Sequence, residues 1–444
     1  MATYKTPKPS PNTSISAPSQ PSNSSPIQNR AKSTSNSLQM VANNDDLLIQ
    51  ILLKLPIKSL SKFKSVSKHW LSLISDPQFS RRRKPFSGLF LKPLNESSPW
   101  SIPEYDFVDL TQTFSPSFAP IRSLNFIKNN PFGITILHSC NGLFLCSTKQ
   151  TLLDPTERYV YNPTTNKYTV LPLLPRRSGS VLALSLAFDP SKSAHYKVVC
   201  VWRWRGHAND NNNLIQIEVY SSETGTWRLS GGPFYSQNGT AFEDGVFWNG
   251  AVHWVCFGEP YLFFNVDEEQ PSQMPLPPVP DELIGFKVLR YFGESRGHLH
   301  LIYFFFEPYP ATHHFKVYEL EMDYSRWFVK FWVDFSEFPV WFPEIIASRR
   351  NDQLLLEMML PNEIPEIVGP SWKDYVFSIV HIVHGDVDEE WYVVIRIPGK
   401  VIRYNFMSKA FEKLCDIKAG RGGGNLNIFE YTHAHQYIES LALV

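Results

Sequence analysis

Between Asn43 and Arg82 apolar residues return every three or four positions, the interval that gathers them on one face of an α-helix. Leu47, Leu48, Ile51, Leu52 and Leu55 form a first series, with Asn43 or Asn44 placed to cap it and Asp45 and Asp46 complementing its positive end. Pro56 stops that helix. Ile57, Leu60, Phe63, Val66, Trp70 and Ile74 make a second series, which runs through Lys- and Ser-rich polar positions to Asp76-Pro77. From Pro85 onward the pattern changes to short alternating strands, and one two-part unit recurs. Its first part is an Asn or Gly turn feeding an apolar strand, as at Asn141-Gly142, Asn249-Gly250, Arg296-Gly297 and, more loosely, Asn351-Asp352. Its second part is a hairpin whose strands carry facing aromatics: Tyr161 with Tyr168, Tyr220 with Trp227, Tyr404 with Phe411, and Tyr318 with Trp327 after a two-residue insertion. The unit around Phe264 keeps the first strand and lacks the second aromatic.

A helical segment of about forty residues is too small to stand alone, since single cores below ~70 residues rarely supply more than ~3–5 kcal/mol. It requires a partner. The string DLLIQILLKLPIKSLSKFKSVSKHWLSLISDPQF resembles the F-box, the module that docks substrate receptors onto the Skp-type adaptor of cullin ubiquitin ligases; LPIKSL, KFKSVSKHW and LISDPQF follow the family's order and spacing. The chain departs from the family at Asn43-Asn44, where Leu-Pro is usual, and at Ser67, where Cys is usual. The resemblance implies adaptor contacts by Leu47, Leu48, Ile51, Leu52, Leu55, Pro56, Leu60, Phe63, Val66 and Trp70.

A single β unit of the kind that recurs after Pro85 cannot bury both of its faces, whereas several arranged radially can, leaving only short protected edges. Five units are clear, and Ser87–Leu91 with Tyr105–Leu110 could supply a sixth. VYNPTTNKYTVLPLLP resembles a strand pair of the kelch repeat, without the glycine pair of strong examples; SCNGLFLC followed by that string resembles the F-box-associated domain of plant F-box proteins. The expected organisation is a Ser/Pro-rich tail without acidic residues over 1–42, a helical module over 43–84, and an all-β, kelch-like propeller of about six blades over 85–444. The fold is α+β only in the sense that its two domains differ in class.

Composition supports this division. Thirty-two Phe, 19 Tyr, 12 Trp and 35 Pro suit many short strands joined by turns. Equal numbers of basic and acidic residues, 42 each, give no bias toward nucleic acid or anionic membranes. No apolar run reaches the ~18 residues of a membrane helix. Five scattered cysteines lack metal or redox spacing and are expected as reduced thiols, so the chain reads as a soluble protein of the cytoplasm or nucleus. The acid-poor tail also fits a transit peptide, and Arg81–Lys84 a nuclear-import patch, but a disordered tail and a solvated helix end are the simpler readings.

Catalytic chemistry is weakly signalled. His381 with His384, His313 with His314 and His433 with His435 lack supporting ligands at metal-site spacing; Asp386–Glu390 lacks the pattern of a calcium loop; and Gly420–Gly424 lacks the Lys-Ser/Thr of a phosphate loop. No metal, cofactor or catalytic residue is assigned. Two insertions suit recognition: Trp202, Arg203, Trp204 and Arg205 leading into Asn209–Asn213, and Pro361–Glu390 with Trp372 and Tyr375. Trp202 and Trp204 could equally be core residues of a strand. The expected function is a non-catalytic receptor that binds a Skp-type adaptor of a cullin ligase through its helices and an unknown target protein through its β domain. A lectin-like or small-molecule-binding propeller and a kelch-type enzyme are the alternatives.

Overall fold

The computed structural model describes residues 44–55, 57–76, 78–79, 87–92, 102–111, 124, 126–127, 133–148, 157–174, 179–204, 214–236, 242–255, 261–279, 287–305, 314–345, 377–385, 390–417 and 434–444. The chain divides into two compact units between Leu55 and Pro56. In the first, helix α1 (Asp45–Leu53) begins at Asn44, whose extended backbone lets its side chain accept the Leu47 N–H at 3.1 Å. Such a cap contributes about 1 kcal/mol. Leu48 and Leu52, four residues apart on one face, are buried.

The second unit opens with α2 (Ile57–Phe63) and α3 (Lys68–Ser75). The second apolar series is thus two helices. Ser67, extended at φ −157°, separates them and caps α3 by accepting the Trp70 N–H at 3.1 Å. Phe63 and Trp70 meet edge-to-face across the break with centroids 5.2 Å apart, which carries the apolar period through a point where the backbone is not helical.

The rest of this unit is a six-bladed β-propeller. Five blades are four-stranded antiparallel sheets of consecutive strands: β3 (Ile134–Cys140) to β6 (Lys167–Val170), with β4 (Leu143–Thr148) and β5 (Arg158–Asn162) between; β7 (Gly179–Ala187), β8 (Lys197–Trp204), β9 (Leu214–Ser221) and β10 (Thr226–Tyr235); β11 (Val246–Trp248), β12 (Ala251–Trp254), β13 (Tyr261–Asn265) and β14 (Gln270–Met274); β15 (Lys287–Ser295), β16 (His298–Phe305), β17 (His314–Leu320) and β18 (Trp327–Asp334); and β19 (Ser378–Val383), β20 (Tyr392–Ile397), β21 (Lys400–Asn405) and β22 (Phe411–Asp416). The remaining blade joins the two ends of the domain: β1 (Ser87–Leu91) lies between β2 (Asp106–Asp109) and β23 (Ala434–Ile438), with Gly88 opposite both Asp109 and Tyr437.

The hairpins explain why the repeat is readable. Asn141-Gly142, Asn249-Gly250 and Arg296-Gly297 each have two successive positive φ angles, the turn whose twist matches flanking antiparallel strands. An added Cβ at Gly142 would lie 2.5 Å from the carbonyl oxygen of Ile438, so glycine is required there for space as well as for its φ of +86°. In the outer hairpins, Asn162, Asn265 and Asn405 each accept two backbone N–H groups on Oδ1, from residues two and three positions on. Tyr161 pairs with Tyr168, Tyr220 with Trp227 and Tyr404 with Phe411. One expected pairing is corrected: Trp327 lies opposite Leu320, at the same seven-residue spacing as the other hairpins, and Tyr318 faces Val329, so no two residues are inserted there and Leu320 takes the place of the first aromatic.

Ring closure is reinforced on both sides of the joint blade. Tyr392 donates its hydroxyl to Leu110 O at 3.1 Å, and Arg396 donates to Lys92 O at 2.8 Å. On the other side, Asn162 donates from Nδ2 to Ser440 O and Ala442 O at 3.1 and 2.8 Å, and Thr164 Oγ1 accepts the Ser440 N–H. Phe90 of this blade is the centre of an aromatic cluster with Tyr105, Phe107 and Tyr437 and with Phe144 of the next blade. Trp227 and Trp327 supply a further link: each donates its indole N–H at 2.9 Å to a proline carbonyl, Pro172 and Pro275, that follows the outer strand of the preceding blade.

Candidate functional site

The helices present apolar side chains to solvent as well as inward. On α1, Leu47 and Ile51 are 43% and 47% exposed, while Leu48 and Leu52 are buried and Leu55 is half-buried. In the second unit Leu60 is buried, Phe63 and Trp70 are half-buried, and Val66 is 59% exposed. Pro56 lies outside the described residues. Solvent-facing Leu and Ile spaced four apart on one helix are the kind of surface that a partner groove takes.

The propeller offers a second site, on its axis. β23, β3, β7, β11, β15 and β19 follow one another around the centre, and Gln436 of β23 reaches His381 of β19 at 3.4 Å to complete the ring. β3, β11, β15, β19 and β23, with the turn before β11, line a cavity of about 170 Å³. β3, β15 and β19 each carry a register shift against their outer neighbours, and the residue resuming the pairing is His138, Tyr291 and His381 respectively. All three line the cavity. A bulge re-aims the side chain beside it, and here it does so toward the axis in three blades.

The hydrogen bonds fix the protonation of these groups. His138 accepts the Leu186 N–H on Nδ1 at 3.2 Å, so the ring proton is on Nε2, which donates to Gly245 O at 2.6 Å. Burial lowers the pKa of His138 and keeps the ring neutral. His381 is pushed down to about 4 by burial and then by His300; with Gln436 donating to its Nε2, its proton sits on Nδ1, facing the Tyr291 hydroxyl at 3.3 Å. Glu294 accepts the Gly297 N–H at 2.6 Å, yet burial raises its pKa. Glu243 and Asp244, in the single 3-10 turn before β11, complete the acidic part of the wall.

A protein-family model for the F-box domain matches residues 44–82, and one for the F-box associated beta propeller domain matches residues 102–324. An Arabidopsis thaliana F-box protein is 35% identical over 435 residues, covering 93% of this chain and 94% of its own. The chain belongs to the plant F-box proteins with a C-terminal F-box-associated propeller. An F-box/kelch-repeat protein of the same plant is 26% identical over 243 residues, 52% of this chain and 60% of the relative. Among solved structures, an oligogalacturonate lyase from Vibrio parahaemolyticus is similar over 71% of this chain and 72% of its own at 9% identity and a TM-score of 0.37, too remote to bear on function.

Within the F-box, Ser67 stands where the family usually has Cys, and its cap on α3 gives that serine a structural task. In the propeller, Trp202, Arg203 and Trp204 are the last residues of strand β8 and do not form a projecting loop; Arg205 to Asn213 lie outside the described residues. Trp202 is 7% exposed and donates Nε1–H to Glu218 at 3.2 Å, while Arg203 and Trp204 are exposed. Trp372 and Tyr375 lie outside the described residues. His381 and His384 do not face one another as a ligand pair: His381 is on the axis, whereas His384 stacks on Trp391 at 3.9 Å. His313 and His433 lie outside the described residues. Among the described residues no group of three metal-ligating side chains gathers, Cys140, Cys146, Cys200 and Cys415 are free, and no helix is long and apolar enough to cross a membrane. Of the axial residues, the sequence pointed only to His381 and His435, as members of histidine pairs; His138, Tyr291 and Glu294 were missed, because they come from separate blades and a bulge has no local signature.

Proposed function

We propose that this protein is the substrate-recognition subunit of a Skp-cullin-F-box ubiquitin ligase, in which the F-box binds the Skp-type adaptor and the propeller binds a target protein. The observation that carries the reading is the combination, in one chain, of an F-box with exposed apolar residues on α1 and a closed propeller that offers a rigid recognition surface. The protein contributes no bond-making group of its own under this reading. It accelerates ubiquitination by holding target and ubiquitin donor together, which raises their effective concentration. Leu47 and Ile51 on α1, and Val66 in the second unit, are the proposed direct adaptor contacts; Leu48 and Leu52 form the buried face of α1, and Leu60 is buried in the second unit. Arg203 and Trp204 are the described candidates for target contact. The protein would act where cullin ligases act, in cytoplasm and nucleus.

Proximity labelling tests the proposal when the intact chain and a chain lacking residues 43–84 are compared with the proteasome blocked. The intact chain should label Skp-type adaptor and cullin, the shortened chain neither, and both should label a shared set of other proteins whose abundance rises with the block. Labelling without adaptor or cullin would overturn the receptor reading.

A further inference from the structure

Val160 of β5 packs with Cys200 and Trp202 of β8 in one core, which joins the blade of β3–β6 to the blade of β7–β10. Arg158, two residues before Val160 and on the same face of β5, enters that seam half-buried, and its charge is felt at Cys200. Burial lowers the pKa of its guanidinium, and among the described residues no hydrogen bond or ion pair reaches the group. The carboxylate of Glu218, also felt at Cys200, accepts the Trp202 indole N–H. Charged groups drawn out of water are ordinarily matched by acceptors, so Arg158 stands at a cost that a carboxylate arriving from outside would offset, and its planar fork suits that partner.

Beyond Trp202 the same face of β8 runs out to solvent, and Trp204, the next residue on it, is 42% exposed. Arg203 pairs with Ile215, so the following step sets Leu214 beside Trp204; Leu214 is in turn the partner of Tyr235, which is 69% exposed. Trp204, Leu214 and Tyr235 thus form a row across three strands, on the side toward the blade that carries Arg158. Arg203 is on the opposite face, with Val201. Four strand steps separate Cys200 from Trp204, about 13 Å, a span that a few residues of extended chain cover. Trp, Tyr and Arg are the side chains most enriched where binding energy concentrates. We propose that the seam between these two blades binds an extended segment of the target protein, in which an Asp or Glu side chain meets Arg158 and a nearby aromatic or large aliphatic side chain lies on the row of Trp204, Leu214 and Tyr235. This rests on the receptor reading and adds the chemistry that the receptor selects.

Fluorescence anisotropy of labelled peptides against the full-length protein tests the site. The probes are Ser-Gly-Glu-Phe-Gly-Ser and the forms with one, two or three glycines between Glu and Phe; the controls carry Gln or Lys for Glu, or Gly for Phe. At least one Glu spacing should bind, and its controls should bind at least about tenfold more weakly. Arg158→Met, which keeps an unbranched stem without the charge, should abolish the preference for Glu over Gln. Tyr235→Ala should weaken the Glu peptide and leave that preference in place. Lys167→Gln, an exposed cation at the other end of the β5–β6 hairpin, should change neither. Melting temperature gives a reading that needs no peptide: a guanidinium held without an acceptor adds nothing to the fold, so Arg158→Met should melt no lower than the unaltered protein. A fall of more than about 3 °C would make Arg158 part of the structural framework and overturn the proposal. So would absence of binding by every Glu peptide up to about 1 mM, equal binding of the Glu and Gln forms, or a preference that survives Arg158→Met. Adaptor binding is measured separately, so a protein that holds the adaptor and fails these tests keeps the receptor reading and loses only this site.

Discussion

Asn162 joins a local turn to the closure of the whole ring, and its replacement by alanine separates those two contributions. The side chain is fully buried and makes four hydrogen bonds: Oδ1 accepts from the Thr164 and Thr165 N–H groups, and Nδ2 donates to Ser440 O and Ala442 O. At about 1 kcal/mol net for each bond, with a further cost for buried groups left unpaired, Asn162→Ala should lose about 4 kcal/mol. Asn265 is the internal control, since it makes the same two turn bonds, to Asp267 and Glu268, at a half-buried position without the tail contacts. Asn265→Ala should lose about 2 kcal/mol on the same arithmetic. Denaturant unfolding of the full-length variants, followed by tryptophan fluorescence, measures both. Equal losses, or a larger loss at Asn265, would refute the claim that residues 440–442 are a structural clamp rather than a loosely attached end.

Gly142→Ala should be markedly worse than Gly399→Ala: both positions have positive φ, but only at Gly142 would the methyl meet a backbone oxygen, so melting temperatures of the two variants isolate the close approach. Trp227→Phe should lose about 1 kcal/mol as the bond to Pro172 disappears, measured by the same unfolding assay. Acid should destabilise the protein. His138, His253, His300, His381 and His384 all have lowered pKa values, chiefly through burial, with His253, His381 and His384 at about 4, against one carboxyl shifted upward, Glu294. The unfolded chain therefore binds more protons as pH falls from ~6.5 toward 4, and stability should decline through that window. Below it, Glu319 adds to the loss: burial opposes its ionisation, but hydrogen bonds and charge attraction from His300 and His298 prevail and hold it down to about 2. A melting temperature that is flat or rising from pH 7 to 4 would contradict this, and His381→Gln should shallow the slope.

The parts of the fold legible in the sequence are those fixed by short-range physics. The first helix is announced by its apolar period, its capping asparagine and Pro56, and the hairpins by Asn-Gly turns and aromatic pairs seven residues apart. The break between α2 and α3 was hidden because Phe63 and Trp70 keep the apolar period across it. β23 was hidden too: AHQYI has no turn signal beside it, and its pairing with β1 spans nearly the whole domain. The alternation of Trp202, Arg203 and Trp204 was readable as a strand, but not which side would be covered, since that depends on the bond from Trp202 to Glu218 on the neighbouring strand. The axial site was least visible, being assembled from blades whose contributions to the wall lie far apart in the chain.

Adaptor binding tests the central claim most directly. Affinity of the full-length protein for a purified Skp-type adaptor should be compared with that of Leu47→Asp plus Ile51→Asp, two exposed positions whose replacement leaves the buried face of α1 unchanged. The account predicts a tight complex with the unaltered chain, loss of at least about a hundredfold in the double variant as two charges enter an apolar contact, and an unchanged propeller melting transition. An unaltered chain that does not bind the adaptor, or a double variant that binds it equally well, would contradict the account.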